Sequence, residues 1–224
     1  MRFAGIPPTE MPPKGYLERL RQICDRHGLL LIFDEVITGF GRVGPCFAAE
    51  AVHVVPDMIT IAKGLTNGTV PMGAVLVRRG IYDTIIDSAP PGTIELFHGY
   101  TYSGHPLATA AAEASLSLFE EEGLSQRAQD LAPYFQEAVH SLREMPHVID
   151  IRNMGMVAGI ELEPKPGRPA ERAFKTYLKC FEKGLLIRTT GDIIALSPPL
   201  IISKPQIDEL VGTLASVLRE TDRD

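Results

Sequence analysis

The sequence is poor in the features that mark membrane, secreted, disulfide-rich and nucleic-acid-binding proteins. It has only three cysteines in 224 residues, and Cys24, Cys46 and Cys180 lack the C-x-x-C spacing of a zinc or redox site. No apolar run approaches the roughly 18 residues that a membrane helix needs. The net charge is −6 without a strong basic run, which speaks against nucleic-acid binding. Prolines interrupt the first residues, where a signal peptide would be continuously apolar. These absences predict a chain without nucleic-acid or membrane partners in a reducing, cytoplasmic compartment.

The composition and patterning are those of a globular α/β chain. Hydrophobic residues make up 45% and charged residues 22% of the sequence, which is enough apolar material for a sizeable core. Helical periodicity alternates with short apolar runs in the first half, and the second half has an α+β character. The predicted helices are 16–27, 47–52, 106–122, 125–145, 170–183 and 205–219; the predicted strands are 29–33, 58–62, 71–78, 148–153, 156–163, 185–188 and 193–196. We place a domain boundary near Glu122–Leu124 and expect an extended, proline-rich lead-in over residues 7–13.

Two acidic residues follow the first apolar run. Asp34 and Glu35 come directly after Ile32-Phe33, and the carboxyl ends of strands are where open α/β sheets bind ligands. An Asp-Glu pair at this place also occurs in P-loop ATPases, but their G-x-x-x-x-G-K-[ST] loop is absent from the sequence. The functional interpretation is a ligand-facing carboxylate, and the structural alternative is a carboxylate that caps the next turn.

A glycine-rich segment, Gly39 to Gly44, matches the letters of the G-x-G-x-x-G dinucleotide fingerprint. That fingerprint forms the turn directly after its strand and needs an acid at the end of the following strand. Here five residues intervene after the strand, Pro45 follows the segment, and the nearest acid, Asp57, precedes the next strand. A nicotinamide or flavin site and a plain glycine-rich loop are therefore the two interpretations.

A lysine ends the second apolar run. Lys63 follows Ile59-Thr60-Ile61-Ala62, and Gly64 lets another group pack closely against it. A partly desolvated lysine loses basicity and becomes a nucleophile suited to Schiff-base chemistry. The alternative is an ordinary surface lysine that extends away from the strand end.

Three segments occur in order along the chain: LLIFDEVITGFGR at 30–42, PDMITIAK at 56–63 and HGYTYSGHP at 98–106. Together they resemble the class III aminotransferases, which are pyridoxal-phosphate enzymes of fold type I. The segments at 148–153 and 187–192 make the chain similar to the ω-amino acid (β-alanine):pyruvate aminotransferases in particular. The resemblance implies an α/β fold in which residues 1–122 form the C-terminal portion of the large, parallel-sheet cofactor domain and residues 123–224 the small α+β domain.

The resemblance also assigns roles to individual residues. Lys63 matches the lysine that forms the internal aldimine with pyridoxal 5′-phosphate, and Asp34 matches the carboxylate paired with the pyridine nitrogen. Val36 matches a residue packed on one face of the cofactor ring. Thr101 matches a hydroxyl that reaches the cofactor phosphate across a dimer interface, and Arg188 matches the arginine that clamps the substrate carboxylate. For Arg188 a rim arginine, and for Thr101 a turn hydroxyl, are the structural alternatives.

Several neighbouring residues are given no chemistry. Glu35 is expected to hold local structure, because adjacent strand residues point to opposite faces. His98 and His105 lack the carboxylate or cysteine cluster of a metal site, so no metal is predicted. Arg42 is interpreted as a structural arginine of the glycine-rich segment. Ile37, counted among the cofactor-contacting positions, stands where many relatives have a glutamine that hydrogen-bonds the cofactor, which the ω-amino acid branch tolerates.

The predicted activity is transfer of an amino group from an ω-amino acid or amine to pyruvate or a related 2-oxo acid, in a homo-oligomer (a dimer or tetramer of the full-length protein). Members of this family have longer chains, and the additional part would supply the phosphate-binding turn and the other ring-stacking residue. Two alternatives remain open: a non-catalytic aminotransferase fragment with exposed apolar surface, and another class III reaction such as aminomutation, decarboxylation or racemisation.

Overall fold

The computed structural model describes residues 12–96, 98, 99 and 101–221. The prolines at 7 and 8 of the expected lead-in and Tyr100 of the third segment lie outside the described residues. The helices are α1 (Tyr16–His27), α2 (Ala48–Ala51), α3 (Arg79–Ser88), α4 (Pro106–Glu121), α5 (Leu124–His140), α6 (Glu171–Glu182) and α7 (Lys204–Thr221). The strands are β1 (Ile32–Asp34), β2 (Met58–Ile61), β3 (Ala74–Val77), β4 (Val148–Met154), β5 (Val157–Leu162), β6 (Arg188–Thr190) and β7 (Ile193–Leu196). The mixed α/β architecture expected from the sequence is therefore confirmed.

The first sheet has the strand order β1-β2-β3. Strands β1 and β2 are parallel, with Asp34 opposite Thr60, whereas β3 runs antiparallel to β2. The carboxylate of Asp57 joins the start of β2 to α1 and to the chain just before β1. It accepts hydrogen bonds from Arg21 at 2.7 Å and from Leu31 N–H at 2.7 Å. The parallel pair matters for the site, because the carboxyl ends of β1 and β2 lie at the same edge.

Two expectations about this sheet are corrected. We expected residues 29–33 to form a strand buried on both faces, but Leu29 and Leu30 are 55% and 57% exposed and β1 begins at Ile32. The reason is local: Gly28 ends α1 with φ 62°, and Leu29 N–H still bonds to Cys24 of the helix. The third strand is antiparallel rather than part of a parallel series, with Val75, Leu76 and Val77 exposed.

The second sheet has the strand order β4-β5-β7-β6, and all of its pairings are antiparallel. Helices α5, α6 and α7 supply much of its core. The largest cluster of buried apolar side chains draws its members from Ala128 to Leu218 and includes Phe135, Met156, Ile160, Ile194 and Leu214. Smaller clusters lie around Phe33 under the first sheet and around Phe40 and Leu65 beside it. The domain boundary that we place at residues 122 and 123 stays a prediction.

Two further elements differ from expectation. Helix α3 was not predicted, although Ile81, Tyr82, Ile85 and Ile86 recur at helical spacing; none of its residues is buried. Strand β6 begins at Arg188 rather than at Leu185. The shift has a cause in the end of α6, where Gly184 takes φ 81° and Leu185 N–H bonds to Cys180, so the chain is still leaving the helix there.

Among the described residues, no helix combines the length and hydropathy that crossing a bilayer requires. The same part of the chain contains no group of three or more histidine, cysteine or acidic side chains placed to hold a metal ion. Cys24, Cys46 and Cys180 are all free thiols.

Candidate functional site

The candidate site lies at the carboxyl ends of the parallel strands β1 and β2. Asp34 is the last residue of β1, and Lys63 follows the end of β2 by two residues. Since Asp34 is in register with Thr60, and neighbouring strands are about 5 Å apart, the carboxylate and the lysine emerge at the same edge of the sheet. The parallel pairing therefore places these two predicted catalytic residues at one edge of the sheet.

The Asp34 carboxylate is half-buried and only partly used by the protein. Its Oδ1 accepts a hydrogen bond from Val36 N–H at 3.2 Å, and Oδ2 has no hydrogen-bond donor in the described part of the chain. Val36 and Ile37 lie in the turn that follows and are themselves partly buried. This arrangement leaves one carboxylate oxygen available to an external donor.

Lys63 has an exposed side chain on an unusual backbone. It begins a short 3-10 helix, Lys63–Leu65, and its φ of 48° is in the left-handed region, which residues other than glycine rarely occupy. Within the described residues the Lys63 ammonium has no hydrogen-bond or ion-pair partner. The primary amine is thus accessible, as a nucleophile must be.

Gly64 fixes the position of the short 3-10 helix Lys63–Leu65, called the lysine turn from here on. A Cβ on Gly64 would lie 2.8 Å from Cβ and Cδ2 of Phe40, a distance that real Cβ atoms do not adopt, so only glycine allows this close packing. The Gly64 carbonyl also accepts a hydrogen bond from the Ser115 hydroxyl at 3.3 Å. The lysine turn is consequently held between the glycine-rich segment and α4.

Glu35 has the structural role that was expected of it. Its side chain is completely buried, and it accepts hydrogen bonds from Ala48 N–H at 2.7 Å, Ala49 N–H at 2.8 Å and the Thr38 hydroxyl at 3.0 Å. Those amides are the free donors at the start of α2. The carboxylate therefore joins the end of β1 to α2 and is not directed at a ligand.

The segment Gly39 to Gly44 does not have the geometry of a dinucleotide-binding turn. Gly39 N–H bonds to the Glu35 carbonyl at 3.0 Å and Phe40 N–H to the Cys46 carbonyl at 2.6 Å, so the segment forms a closed loop. The next helix, α2, begins only at Ala48. Because no helix N-terminus follows the glycines directly, the nicotinamide and flavin interpretation of this segment is wrong.

Arg188 lies at the start of β6 and lines an open groove of about 600 Å³. The groove combines this exposed guanidinium with apolar walls from α6, α7, the connection before β6 and the chain after β7; they include Phe174, Tyr177, Leu186, Pro198 and Leu210. The aromatic residues of α6 were not foreseen as site residues. Their spacing of three along the helix was the available signal, but such spacing also marks an ordinary core face.

Thr101 is exposed in a turn ahead of α4, and its hydroxyl lies 3.5 Å from the Gly99 carbonyl. The part of α4 that touches the lysine turn is near Ser115, nine residues after the helix begins, which corresponds to about 13 Å of helix. The described contacts thus do not join Thr101 to Asp34 or Lys63 within one chain. Its expected role across a dimer interface stays a prediction.

Charged groups with shifted pKa values in the first half of the described chain include the half-buried Arg42 and the buried Asp57. Burial lowers the pKa of Arg42. Burial alone would raise the pKa of Asp57, but the Leu31 amide and the guanidinium groups of Arg21 and Arg78 outweigh it, so its pKa lies below the usual value. Asp57 is fully engaged by these partners and lies before the start of β2, at the opposite end of the sheet from Asp34, which is the carboxylate at the carboxyl ends of the strands.

Comparison with known proteins gives the chain a family. Residues 8–218 match the family model described as Aminotransferase class-III. An omega-aminotransferase from Caulobacter vibrioides is 59% identical over 98% of this chain and 50% of its own length, and a beta-alanine–pyruvate aminotransferase from Pseudomonas aeruginosa is 44% identical over 96% of this chain and 48% of its own.

A solved structure confirms the predicted fold class. The (S)-enantioselective omega-transaminase from Thermomicrobium roseum superposes with a TM-score of 0.86 at 35% identity, covering 94% of this chain and 48% of that one. The chain spans about half the length of the curated relatives it matches. With a family model matched over nearly its whole length, the chain belongs to the class III aminotransferases.

Proposed function

We propose that this chain carries the lysine and aspartate of a pyridoxal-phosphate-dependent transaminase, which transfers an amino group from an ω-amino acid such as β-alanine, or an amine, to pyruvate or a related 2-oxo acid. The observation that carries the proposal is the emergence of Asp34 and Lys63 at one edge of a parallel strand pair. The names of the Caulobacter and Pseudomonas relatives support the choice of substrates.

The residues present fit the cofactor. Asp34 has one carboxylate oxygen without a donor among the described residues, and Lys63 has an exposed amine without a partner there. An acceptor for a pyridinium N–H and a primary amine are two of the groups with which proteins hold pyridoxal phosphate. When bound, the cofactor supplies an electron-withdrawing ring and a carbon that exchanges amines.

Asp34 and Lys63 would act on two different protons of the reaction. The Asp34 carboxylate would hold a proton at the pyridine nitrogen, because a negative charge nearby favours the protonated form. The Lys63 amine would bind the cofactor covalently and, once displaced by the substrate amine, would carry a proton to and from the substrate carbon. Its accessible position beyond the end of β2 suits both tasks.

Arg188 would bind the substrate carboxylate. Its planar guanidinium suits bidentate recognition of a carboxylate, and it lies in a groove whose remaining walls are largely apolar. Such a groove orients a small amphiphilic substrate by one polar contact. We further propose that Thr101 donates to the cofactor phosphate of a second subunit, so that the complete protein acts as a homo-oligomer, and that the free cysteines indicate a cytoplasmic setting.

The test uses the complete protein that the gene encodes, mixed with pyridoxal phosphate. We expect a visible absorption band that borohydride converts into a stable adduct on the peptide containing Lys63, detected by mass spectrometry. The Lys63→Ala variant should lose both the band and the adduct. Lys175→Ala is the matched control, because Lys175 is another lysine, lies in α6 and is paired with Glu171 at 3.3 Å.

The reaction itself is tested with β-alanine and pyruvate. Formation of alanine by the wild-type protein supports the proposal, and its absence with an intact cofactor adduct would favour another class III reaction. A borohydride adduct that persists in Lys63→Ala would show that the lysine assignment is wrong.

A further inference from the structure

We propose that Arg42 is a positioning residue. Arg42 belongs to the glycine-rich loop formed by Gly39 to Gly44, and through this loop it joins the lysine turn to the groove lined by Arg188. It thereby sets the distance and orientation between Lys63, which would hold the cofactor, and Arg188, which would bind the substrate carboxylate. This inference rests on the proposed function for its catalytic meaning. It is carried by direct contacts that run without a gap from Lys63 to the groove.

The first contact lies between the lysine turn and the loop. Gly64, directly after Lys63, packs so closely on Phe40 that a Cβ at Gly64 would be 2.8 Å from the Phe40 side chain. Phe40 is two residues before Arg42, and Phe40 N–H and Gly41 N–H both point at the Cys46 carbonyl. The loop therefore behaves as one closed unit to which the lysine turn is fitted.

The second contact joins this loop to the second sheet. The Arg42 carbonyl accepts a hydrogen bond from Met156 N–H at 2.9 Å, and Arg42 Nη1 donates to the Met156 carbonyl at 3.1 Å. Met156 is fully buried between β4 and β5. Beside it, Gly155 takes φ 55°, and a Cβ there would lie 2.6 Å from the Val43 backbone. The backbone at Val43 therefore packs directly against the backbone at Gly155, with little room for either segment to move.

The third contact reaches the groove. Arg42 Nη1 also donates to the Pro198 carbonyl at 2.6 Å, and Pro198 lines the same groove as Arg188. From the other side, the Arg127 guanidinium donates to the carbonyls of Leu200, Ile201 and Ile202 at 2.9 to 3.0 Å. The chain after β7 is consequently held by two arginines. Arg42 is the one that belongs to the loop beside the lysine turn, where Leu200 also packs close to Gly41.

Arginine suits this task for a physical reason. Its guanidinium can donate to two carbonyls of different segments at once, whereas a lysine ammonium on its flexible stem does not fix their relative position. Because Arg42 is half-buried, losing it would leave the Met156 and Pro198 carbonyls without that donor. The expected result is a displaced groove wall, not an unfolded protein, since both sheets keep their own hydrogen bonds.

The experiment compares Arg42→Met and Arg42→Lys with the wild type in the complete protein. The matched control is Arg152→Met, since Arg152 is a partly buried arginine of β4 whose described contacts go to Asp150 and Glu161. Two measurements are made: the KM for pyruvate against that for propanal, which lacks the carboxylate, and hydrogen exchange of the Met156 and Ile202 amides.

We expect Arg42→Met to raise the KM for pyruvate about tenfold while that for propanal stays within about twofold, because a displaced Arg188 groove affects only the carboxylate. The Met156 and Ile202 amides should exchange about tenfold faster. Arg42→Lys should fall between wild type and Arg42→Met, and Arg152→Met should keep the wild-type KM ratio.

Equal KM changes for both acceptors, or the same KM ratio in Arg152→Met, would overturn the inference. If the wild type does not use pyruvate at all, the proposed function fails separately. The exchange rates then decide the structural link, which is contradicted when Arg42→Met leaves both amides at their wild-type rates.

Discussion

At the scale of single residues, two neighbouring carboxylates have separate tasks. Asp34 keeps an oxygen available at the edge of the sheet, whereas Glu35, one residue later, is buried and fully engaged by Ala48, Ala49 and Thr38. The alternation of side chains along a strand explains why adjacent acids face different surroundings. Residue type alone would not separate them, but position in the strand does.

Glu35→Ala should therefore destabilise the protein without touching the ligand-facing carboxylate. It would leave two buried amides and a hydroxyl without their acceptor, and we expect a loss of about 3 kcal/mol in the free energy of unfolding. Glu35→Gln keeps one acceptor oxygen and should lose less. Urea unfolding measures both. Glu50→Ala is the control: within the described part of the chain this exposed acid accepts a hydrogen bond only from Phe47 N–H, at 3.0 Å, so its replacement should cost under about 1 kcal/mol. Equal losses for Glu35→Ala and Glu50→Ala would contradict the bridging role.

Asp57 should give the protein a measurable acid sensitivity. Its pKa in the folded protein is lowered: burial opposes this, but the Leu31 amide and the Arg21 and Arg78 guanidinium groups prevail. Because the pKa of Asp57 is lower in the folded protein than in the unfolded chain, the ionised carboxylate stabilises the fold at pH values above the unfolded pKa of about 3.9. This stabilisation is lost as the pH falls from there toward the folded-state pKa.

We therefore expect the unfolding free energy to decrease between about pH 5 and pH 3, and to decrease less in Asp57→Asn. Asp25→Asn serves as the comparison, since Asp25 is 64% exposed in its ion pair with Arg21 and exposed pairs contribute little. Chemical unfolding at several pH values measures the slopes. Identical slopes for Asp57→Asn and the wild type would show that Asp57 is not responsible.

At the scale of elements, local sequence signals predicted some structures that depend only on neighbouring residues. Helix α1 has the predicted bounds, because the apolar face and the Gly28 stop are both in the sequence. The position of Asp34 and Lys63 at one edge of the sheet was also predictable, since it needs only two parallel strands that end together. The contacts of Arg42 were not, because its partners lie 114 and 156 residues away and no spacing rule connects them.

The lysine turn provides a test at this scale. Gly64→Ala would force a Cβ to within 2.8 Å of Phe40, and the turn must then move away from the loop. We expect about 1 to 3 kcal/mol of lost stability from this overpacking, together with weaker pyridoxal-phosphate binding in spectroscopic titration. Gly212→Ala is the control, because a Cβ in that helix meets nothing within 4 Å and should stabilise by up to about 1 kcal/mol. Unchanged cofactor affinity in Gly64→Ala would show that this packing does not position Lys63.

At the scale of the whole molecule, apolar side chains are unevenly covered. The core under the second sheet is closed, with many side chains fully buried. The first sheet and the segment leading into it instead expose apolar residues: Leu29 and Leu30 before β1, Ile32 in β1, and Val75, Leu76 and Val77 in β3. Large exposed apolar patches mark surfaces that bind another chain or segment.

The 224-residue chain expressed alone should consequently self-associate and bind a hydrophobic dye. Sizing chromatography at several concentrations and fluorescence of the dye measure this. The paired change of Val75 and Val77 to threonine should reduce both signals, because it adds hydroxyls to the exposed strand β3 while keeping its β-branched shape. A chain that elutes as a monomer at every concentration and binds no dye would contradict the expectation.

The left-handed backbone of Lys63 has a further consequence. A non-glycine residue held at φ 48° stores strain, of the order of 1 kcal/mol or more, and glycine would relieve it. We therefore expect Lys63→Gly to unfold at a higher temperature than Lys63→Ala in calorimetry, and the reverse order would disprove strain at this position. If the lysine carries the chemistry, stability and activity compete at one residue. A selection for heat resistance alone would then favour the variant that has lost its function.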